Sequence, residues 1–169
     1  AYTGCWQSAI VPHRRPRADS QPPIAERHLA RSLSPDRLVP IDGKIRQEAQ
    51  EVASDARTPL GKARAIYEHL TRTVRYDKSV PGWGRGDALY ACDFRRGNCT
   101  DIHSLFIALA RSSGIPARFV IGFLIPEGKT SGEVEGYHCW AEFYLEECGW
   151  VPVDVSEAIK HPERKESLF

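Results

Sequence analysis

Cys99, His138 and Asp154 are a thiol, an imidazole and a carboxylate in the chain order that nucleophilic acyl transfer uses. Cys99 stands in Arg95-Arg96-Gly97-Asn98-Cys99-Thr100-Asp101, His138 in Tyr137-His138-Cys139-Trp140 and Asp154 in Val153-Asp154-Val155-Ser156. A thiol is a strong nucleophile only when a base ionises it, and an imidazole is a reliable base only when an acceptor fixes its tautomer. The chemistry therefore depends on whether local elements can bring three distant positions together.

Apolar residues after Cys99 fall at Ile102, Leu105, Phe106, Leu109 and Ala110, one face of a helix. Gly114 is placed to end it and Pro116 forbids its continuation. Gly97 permits a tight turn into the helix. Cys99 then lies in or just before the first turn, where free N–H groups and the positive dipole end favour an anion. Such a position lowers a thiol pKa and offers N–H groups to an oxyanion. Tyr137 to Leu145 alternates as a strand, with His138, Trp140, Glu142 and Tyr144 on one face and Cys139, Ala141, Phe143 and Leu145 on the other. Trp150 to Val155 reads as a second strand, and Glu147-Cys148-Gly149 as the hairpin turn between them. An antiparallel pair of this kind places Asp154 beside His138.

These segments resemble the transglutaminase-like superfamily, in its bacterial cysteine-protease branch. The matching text is Gly97-x-Cys99-x-Asp101, then Leu105-Phe106-x-Ala108-Leu109-Ala110-Arg111, Gly114-Ile115-Pro116-Ala117-Arg118, His138-Cys139-Trp140-Ala141-Glu142 and Gly149-Trp150-x-x-x-Asp154. The resemblance covers roughly residues 40 to 155, a usual single-domain length. It implies Cys99 as nucleophile, His138 as base and Asp154 as orienting acid, on a papain-like α+β core. Cys139 departs from the alanine common at its position in the family, and Val155 from a common proline.

The expected architecture is α+β, with two or three helices packed on an antiparallel sheet and the nucleophilic Cys at a helix N-terminus. Residues 1–40 hold six of the twelve prolines and the run His13-Arg14-Arg15-Pro16-Arg17, and read as a Pro-rich N-terminal arm. Residues 41–169 read as the catalytic domain, part of a longer protein by the resemblance. Asp42 is placed to cap a helix with Ile45, Ala49 and Val52, and Thr58-Pro59 to start one carrying Leu60, Ala63, Ile66, Tyr67, Leu70 and Val74. Residues 76–98 read as loop. Ala117 to Ile125 reads as a central strand because its apolar run is nearly continuous, and residues 126–136 as a polar, glycine-rich loop.

A net charge of +1 gives no general attraction to nucleic acid or anionic membranes. No apolar run approaches the ~20 residues of a membrane span, and no signal-peptide pattern is visible. Five cysteines (Cys5, Cys92, Cys99, Cys139, Cys148) are too few for a disulfide scaffold, and without a Cys-x-x-Cys pair a structural zinc site has little support. The chemistry requires no metal or organic cofactor.

Trp83 in the glycine-rich segment is either a packed aromatic or a wall of an acyl pocket. Trp83, Trp140 and Asn98 are the candidates for contact with substrate. Asp101 reads as a helix first-turn acid or a site residue, and His103, one turn beyond Cys99, as a hydrogen-bonded histidine rather than a metal ligand. The expected reaction is amide acyl transfer on a peptide or protein through a thioester, as a peptidase, an amidase or a transferase. An arylamine N-acetyltransferase-like acyltransferase and a non-catalytic peptide-binding module are the alternatives, because Arg96-Gly97-x-Cys99-x-Asp101 also resembles the acetyltransferase motif.

Overall fold

The computed structural model describes residues 26–123 and 136–169. Cys5, the basic run at 13–17 and most of the glycine-rich segment before His138 lie outside them. Along the chain run α1 (Glu26–Leu33), α2 (Gly43–Ala53), α3 (Pro59–Thr73), β1 (Arg75–Tyr76), α4 (Ala88–Phe94), β2 (Arg96–Gly97), α5 (Cys99–Ser112), β3 (Ala117–Gly122), β4 (His138–Leu145), β5 (Gly149–Val153) and α6 (Val155–Lys160). A final 3₁₀ segment spans Pro162–Ser167. The class is α+β.

Helix α5 is the axis of the domain. It packs against α2 and α3, against α4 and α6, and against β3 and β4 of the sheet. Every residue from Asp101 to Arg111 is buried. A helix enclosed this way must satisfy its polar members internally. Arg111 does so by donating to the carbonyls of Ala117 (3.0 Å) and Ser34 (2.7 Å) and to Asp36 (2.8 Å). Its C-terminus closes as expected: Gly114 has φ 81°, the Ile115 N–H bonds the Ala110 carbonyl at 2.9 Å, and the Gly114 N–H bonds the Arg111 carbonyl at 3.0 Å.

Helix α3 starts where the Thr58 side chain accepts the Gly61 N–H at 3.1 Å, with Pro59 in the first turn. Asp42 occupies the N-cap of α2 without a side-chain cap bond. The stretch read as loop at 76–98 contains α4, begun by Asp87, whose carboxylate accepts the Leu89 and Tyr90 N–H groups. Seven residues are too few for a visible periodicity, so the cap was the one available signal. The region read as an N-terminal arm contains α1, which packs on α5 and β3.

The sheet order is β3-β4-β5, all antiparallel. β3 is therefore an edge strand among the described residues, not the central one. Phe119 and Ile121 are exposed on it, Ile121 by 63%. An apolar run marks strand propensity, but coverage on both sides depends on partners that the run does not specify. β4 is central, with Cys139, Ala141, Phe143 and Leu145 facing the core.

The chain enters α5 through a short parallel ladder, with Arg75 opposite Arg96 and Tyr76 opposite Gly97. Just before it Arg95 adopts a left-handed conformation (φ 51°, ψ 37°), which costs a non-glycine residue about 1–2 kcal/mol. Its guanidinium is clamped by buried Glu48 through two bonds, of 2.6 and 2.9 Å. His69 contacts the same carboxylate at 2.8 Å, and the Cys92 thiol donates to it at 3.2 Å. Burial opposes ionisation of Glu48, yet its bonds to His69, Arg95 and Cys92 hold it at about 2, below its ordinary 4.5. A depressed carboxylate stabilises the fold above its unfolded pKa and loses that contribution as pH falls toward 2. Glu48→Gln is expected to cost about 3 kcal/mol at pH 7 in urea titration. Its gap from the parent should narrow as pH drops from 5 to 3, and a gap constant with pH would assign the loss to packing.

Candidate active site

Cys99 is the first residue of α5, and Asn98 is its N-cap. The Asn98 Oδ1 accepts the N–H groups of Thr100 (3.0 Å) and Asp101 (3.3 Å), while Asp101 accepts the Asn98 N–H at 3.2 Å. This capping box leaves the Cys99 N–H without a hydrogen-bond partner among the described residues. The carboxylate of Asp101 is fully buried, and it also accepts the N–H groups of Gly84 (2.6 Å) and Gly86 (3.0 Å). It therefore fastens the glycine-rich loop to the nucleophile's helix. Gly97 allows this approach, since a Cβ there would lie 2.7 Å from the Asp101 Cβ. The sequence offered Asp101 as a first-turn acid or a site residue, and not as the anchor of this loop, because the loop that it collects is remote in the chain.

His138 opens β4 opposite Gly122 of β3. Its Nε2 bonds the Asp154 Oδ2 at 2.5 Å. The Cys99 thiol and the same imidazole act on each other's ionisation, the thiol shifting down and the imidazole up, and Nδ1 is the ring nitrogen that Asp154 leaves open. The hairpin register pairs Leu145 with Gly149 and Ala141 with Val153, which brings Asp154 to the level of Trp140, and its side chain reaches His138 two residues along the strand. The second strand ends at Val153, earlier than expected, because Asp154 is the N-cap of α6. Its Oδ1 accepts the Glu157 N–H at 2.9 Å and the Ser156 hydroxyl at 3.0 Å, and its own N–H donates to the Leu168 carbonyl at 2.9 Å. The carboxylate is thus held from both sides.

Charge follows geometry. A hydrogen bond from the Cys139 thiol, aided by His138 and opposed by burial, brings the Cys99 thiol down to about 4. Burial opposes protonation of His138, but Asp154 and the Cys99 thiolate raise it to about 9. The bond to Cys99, together with burial, pushes Cys139 well up. Burial also opposes ionisation of Asp154, and the nearby imidazoles of His103 and His138 keep it well below the carboxylate range. Both shifts run in the direction that favours a thiolate on Cys99 and a proton on His138.

Among the residues expected to touch substrate, Asn98 serves as the cap. The Trp140 ring stacks on that of His138 (centroids 6.2 Å, 29°) and is 9% exposed. Trp83 is half-exposed beside the ammonium of Lys78, 5.3 Å from its ring centre, in the loop that Asp101 fastens. Tyr137, unremarked in the sequence beyond its motif, reaches the Thr100 hydroxyl at 3.3 Å and closes the rim between β4 and α5. Among the described residues no cluster of three or more His, Cys, Asp or Glu side chains is placed to hold a metal, and no helix is long and apolar enough to cross a membrane.

The family model of the transglutaminase-like superfamily matches residues 46–155. An uncharacterised protein of Haemophilus influenzae is 33% identical over 141 residues, covering 72% of this chain and 38% of that protein. The uncharacterised protein YebA of Bacillus subtilis is 27% identical over 133 residues, covering 70% of this chain and 18% of that protein. The chain thus spans less than half the length of these relatives. Among solved structures, the periplasmic domain of TgpA from Pseudomonas aeruginosa superposes with a TM-score of 0.66 at 27% identity, covering 85% of this chain and 51% of that one. A candidate cysteine protease from Cytophaga hutchinsonii gives 0.64 at 25% identity, covering 76% and 42%. With the family's model spanning most of the chain and its core reproduced by these structures, the chain belongs to the transglutaminase-like superfamily.

Proposed function

We propose that this domain carries out cysteine-dependent amide acyl transfer on a peptide or protein. The observation that carries the reading is a thiol at a helix start beside an imidazole whose Nε2 is bonded to a partly buried carboxylate. The Cys99 thiolate attacks the amide carbonyl carbon. The oxyanion that forms is met by the free Cys99 N–H at the positive end of α5. The amide nitrogen leaves as an amine, taking the proton carried by His138, and a thioester remains on Cys99. Asp154 keeps the Nε2 proton of His138 in place so that Nδ1 faces the reaction. In the second half, His138 deprotonates water or an incoming amine, which resolves the thioester. Water makes the domain a peptidase or amidase, and an amine makes it a transglutaminase-type transferase.

The test is intact mass spectrometry of the protein mixed with a library of peptide amides and acetyl-CoA, with and without an added primary amine. A mass gain located on Cys99 is expected with peptide amides. Its faster decay with amine than without identifies a transferase. Acylation by acetyl-CoA alone would favour the acetyltransferase reading, and no acylation of Cys99 by any donor would leave a peptide-binding module.

A further inference from the structure

His103 takes no part in the mechanism just described, yet it is completely buried and lies one turn beyond Cys99 on the same helix. Its Nε2 faces two groups at once: the Val155 N–H at 3.0 Å and the Asp154 Oδ1 at 3.5 Å. One ring nitrogen cannot accept from the first and donate to the second. The Val155 N–H is the first of α6 and has no other acceptor among the described residues, so the shorter contact takes the lone pair. The proton of a neutral His103 then sits on Nδ1, which finds no partner among the described residues. A buried N–H left unpaired costs about 1–3 kcal/mol, so the arrangement calls for a compensating use.

We propose that His103 is a positioning residue for the site. As a neutral acceptor of the Val155 N–H, it ties the start of α6, and with it the Asp154 carboxylate, to the nucleophile's own helix. It also leaves His138 as the one imidazole that donates to that carboxylate. If Nε2 of His103 instead carried the proton, a second imidazole would donate to Asp154 and compete with His138. The Val155 N–H prevents this by occupying the lone pair. Val155 therefore has a role that proline, lacking an N–H, cannot fill. The inference rests on the proposed roles of Cys99, His138 and Asp154. The titratable groups facing them are Cys99 and His103 on α5, Cys139 on β4, Glu157 on α6, Tyr76 on β1 and Tyr67 on α3.

The test needs no substrate. The rate of Cys99 alkylation by iodoacetamide is followed from pH 4 to 10, and the His138 ring is titrated by NMR. Val155→Pro suits the first position of a helix, and Val155→Ala, which keeps the N–H, controls for the packing that this fully buried valine provides. The proline variant is expected to lower the upper titration, that of His138, by roughly one pH unit or more, because His103 becomes free to donate to Asp154. His103→Leu keeps the bulk but loses the acceptor. It should slow alkylation near neutrality by about tenfold, and His103→Gln, which offers an acceptor oxygen, should recover much of that rate. In the Val155→Pro/His103→Leu double variant the added effect of proline should vanish, since the competing imidazole is gone. Thermal melts identify any variant that fails to fold, and Val155→Pro with the NMR titration decides the matter if His103→Leu does. Parental rates and an unmoved His138 titration in both single variants would overturn the inference and make His103 a space-filling residue. A parent protein without a depressed Cys99 thiol would instead overturn the reading of the site itself.

Discussion

Cys99→Ala is expected to reduce amide turnover by on the order of 10⁶-fold, to background, while the protein stays folded. The side chain is small and stands at a helix start whose cap is made by Asn98 and Asp101, so stability should change by about 1 kcal/mol or less. His138→Ala should cost nearly as much. Asp154→Asn should cost less, on the order of 10⁴-fold, because it removes the tautomer control while asparagine still caps α6. Groups that act as a unit do not add, so Cys99→Ala/His138→Ala should be no worse than Cys99→Ala alone. Turnover measured on peptide amides, with circular dichroism as the fold control, checks all of these. More than a trace of activity in Cys99→Ala would remove Cys99 from the nucleophile's role.

The second large effect is selectivity among thiols at mildly acidic pH. With its pKa brought to about 4, Cys99 is almost wholly thiolate at pH 6. Burial and the Glu48 carboxylate raise Cys92 to about 11, leaving a thiolate fraction of about 10⁻⁵ at that pH. Lower basicity weakens a thiolate as a nucleophile, with a Brønsted slope of about 0.4–0.5, so the net advantage of Cys99 over Cys92 is roughly 10²-fold. Iodoacetamide at pH 6, read by peptide mapping, should therefore modify Cys99 well before Cys92 and Cys139. The sign of the His138 effect is fixed: an imidazolium favours the thiolate, so His138→Ala raises the Cys99 pKa and slows labelling at pH 6. The ion pair should persist until His138 deprotonates near 9. Equal labelling of Cys99 and Cys92 at pH 6, or labelling indifferent to His138, would leave Cys99 an ordinary cysteine.

The bond between His138 and Asp154 and the place of Cys99 at a helix start were legible because each residue sits where local signals are strong. A helix with clear periodicity starts at Cys99, an alternating strand starts at His138, and a hairpin of fixed register returns Asp154 to it. The supports of that geometry were not legible. Glu48 meets Arg95 from 47 residues away, and nothing around either residue marks the pair. The bond between His103 and Val155 spans 52 residues and depends on how α6 begins, which was read as strand. The mistaken central position of β3 has the same origin: hydrophobicity reports burial preference, while strand order is decided by contacts between segments distant in sequence. Helix α4 was missed for a different reason, since two turns beginning at Asp87 carry too little pattern to stand out from a glycine-rich stretch.

The loop between Asp77 and Gly84 is fastened at both ends to the entry of α5. At one end the Asp77 N–H bonds the Gly97 carbonyl at 3.0 Å, and at the other the Gly84 N–H bonds Asp101. Lys78 and Trp83 lie between these anchors, with Trp83 open to solvent. In engineering terms this is a cassette. Its interior can be exchanged, lengthened or recharged as a unit while Asp77, Gly84, Gly86, Gly97 and Asp101 keep the frame of the nucleophile unchanged, so the rim of the cleft and the chemistry beneath it can be altered separately.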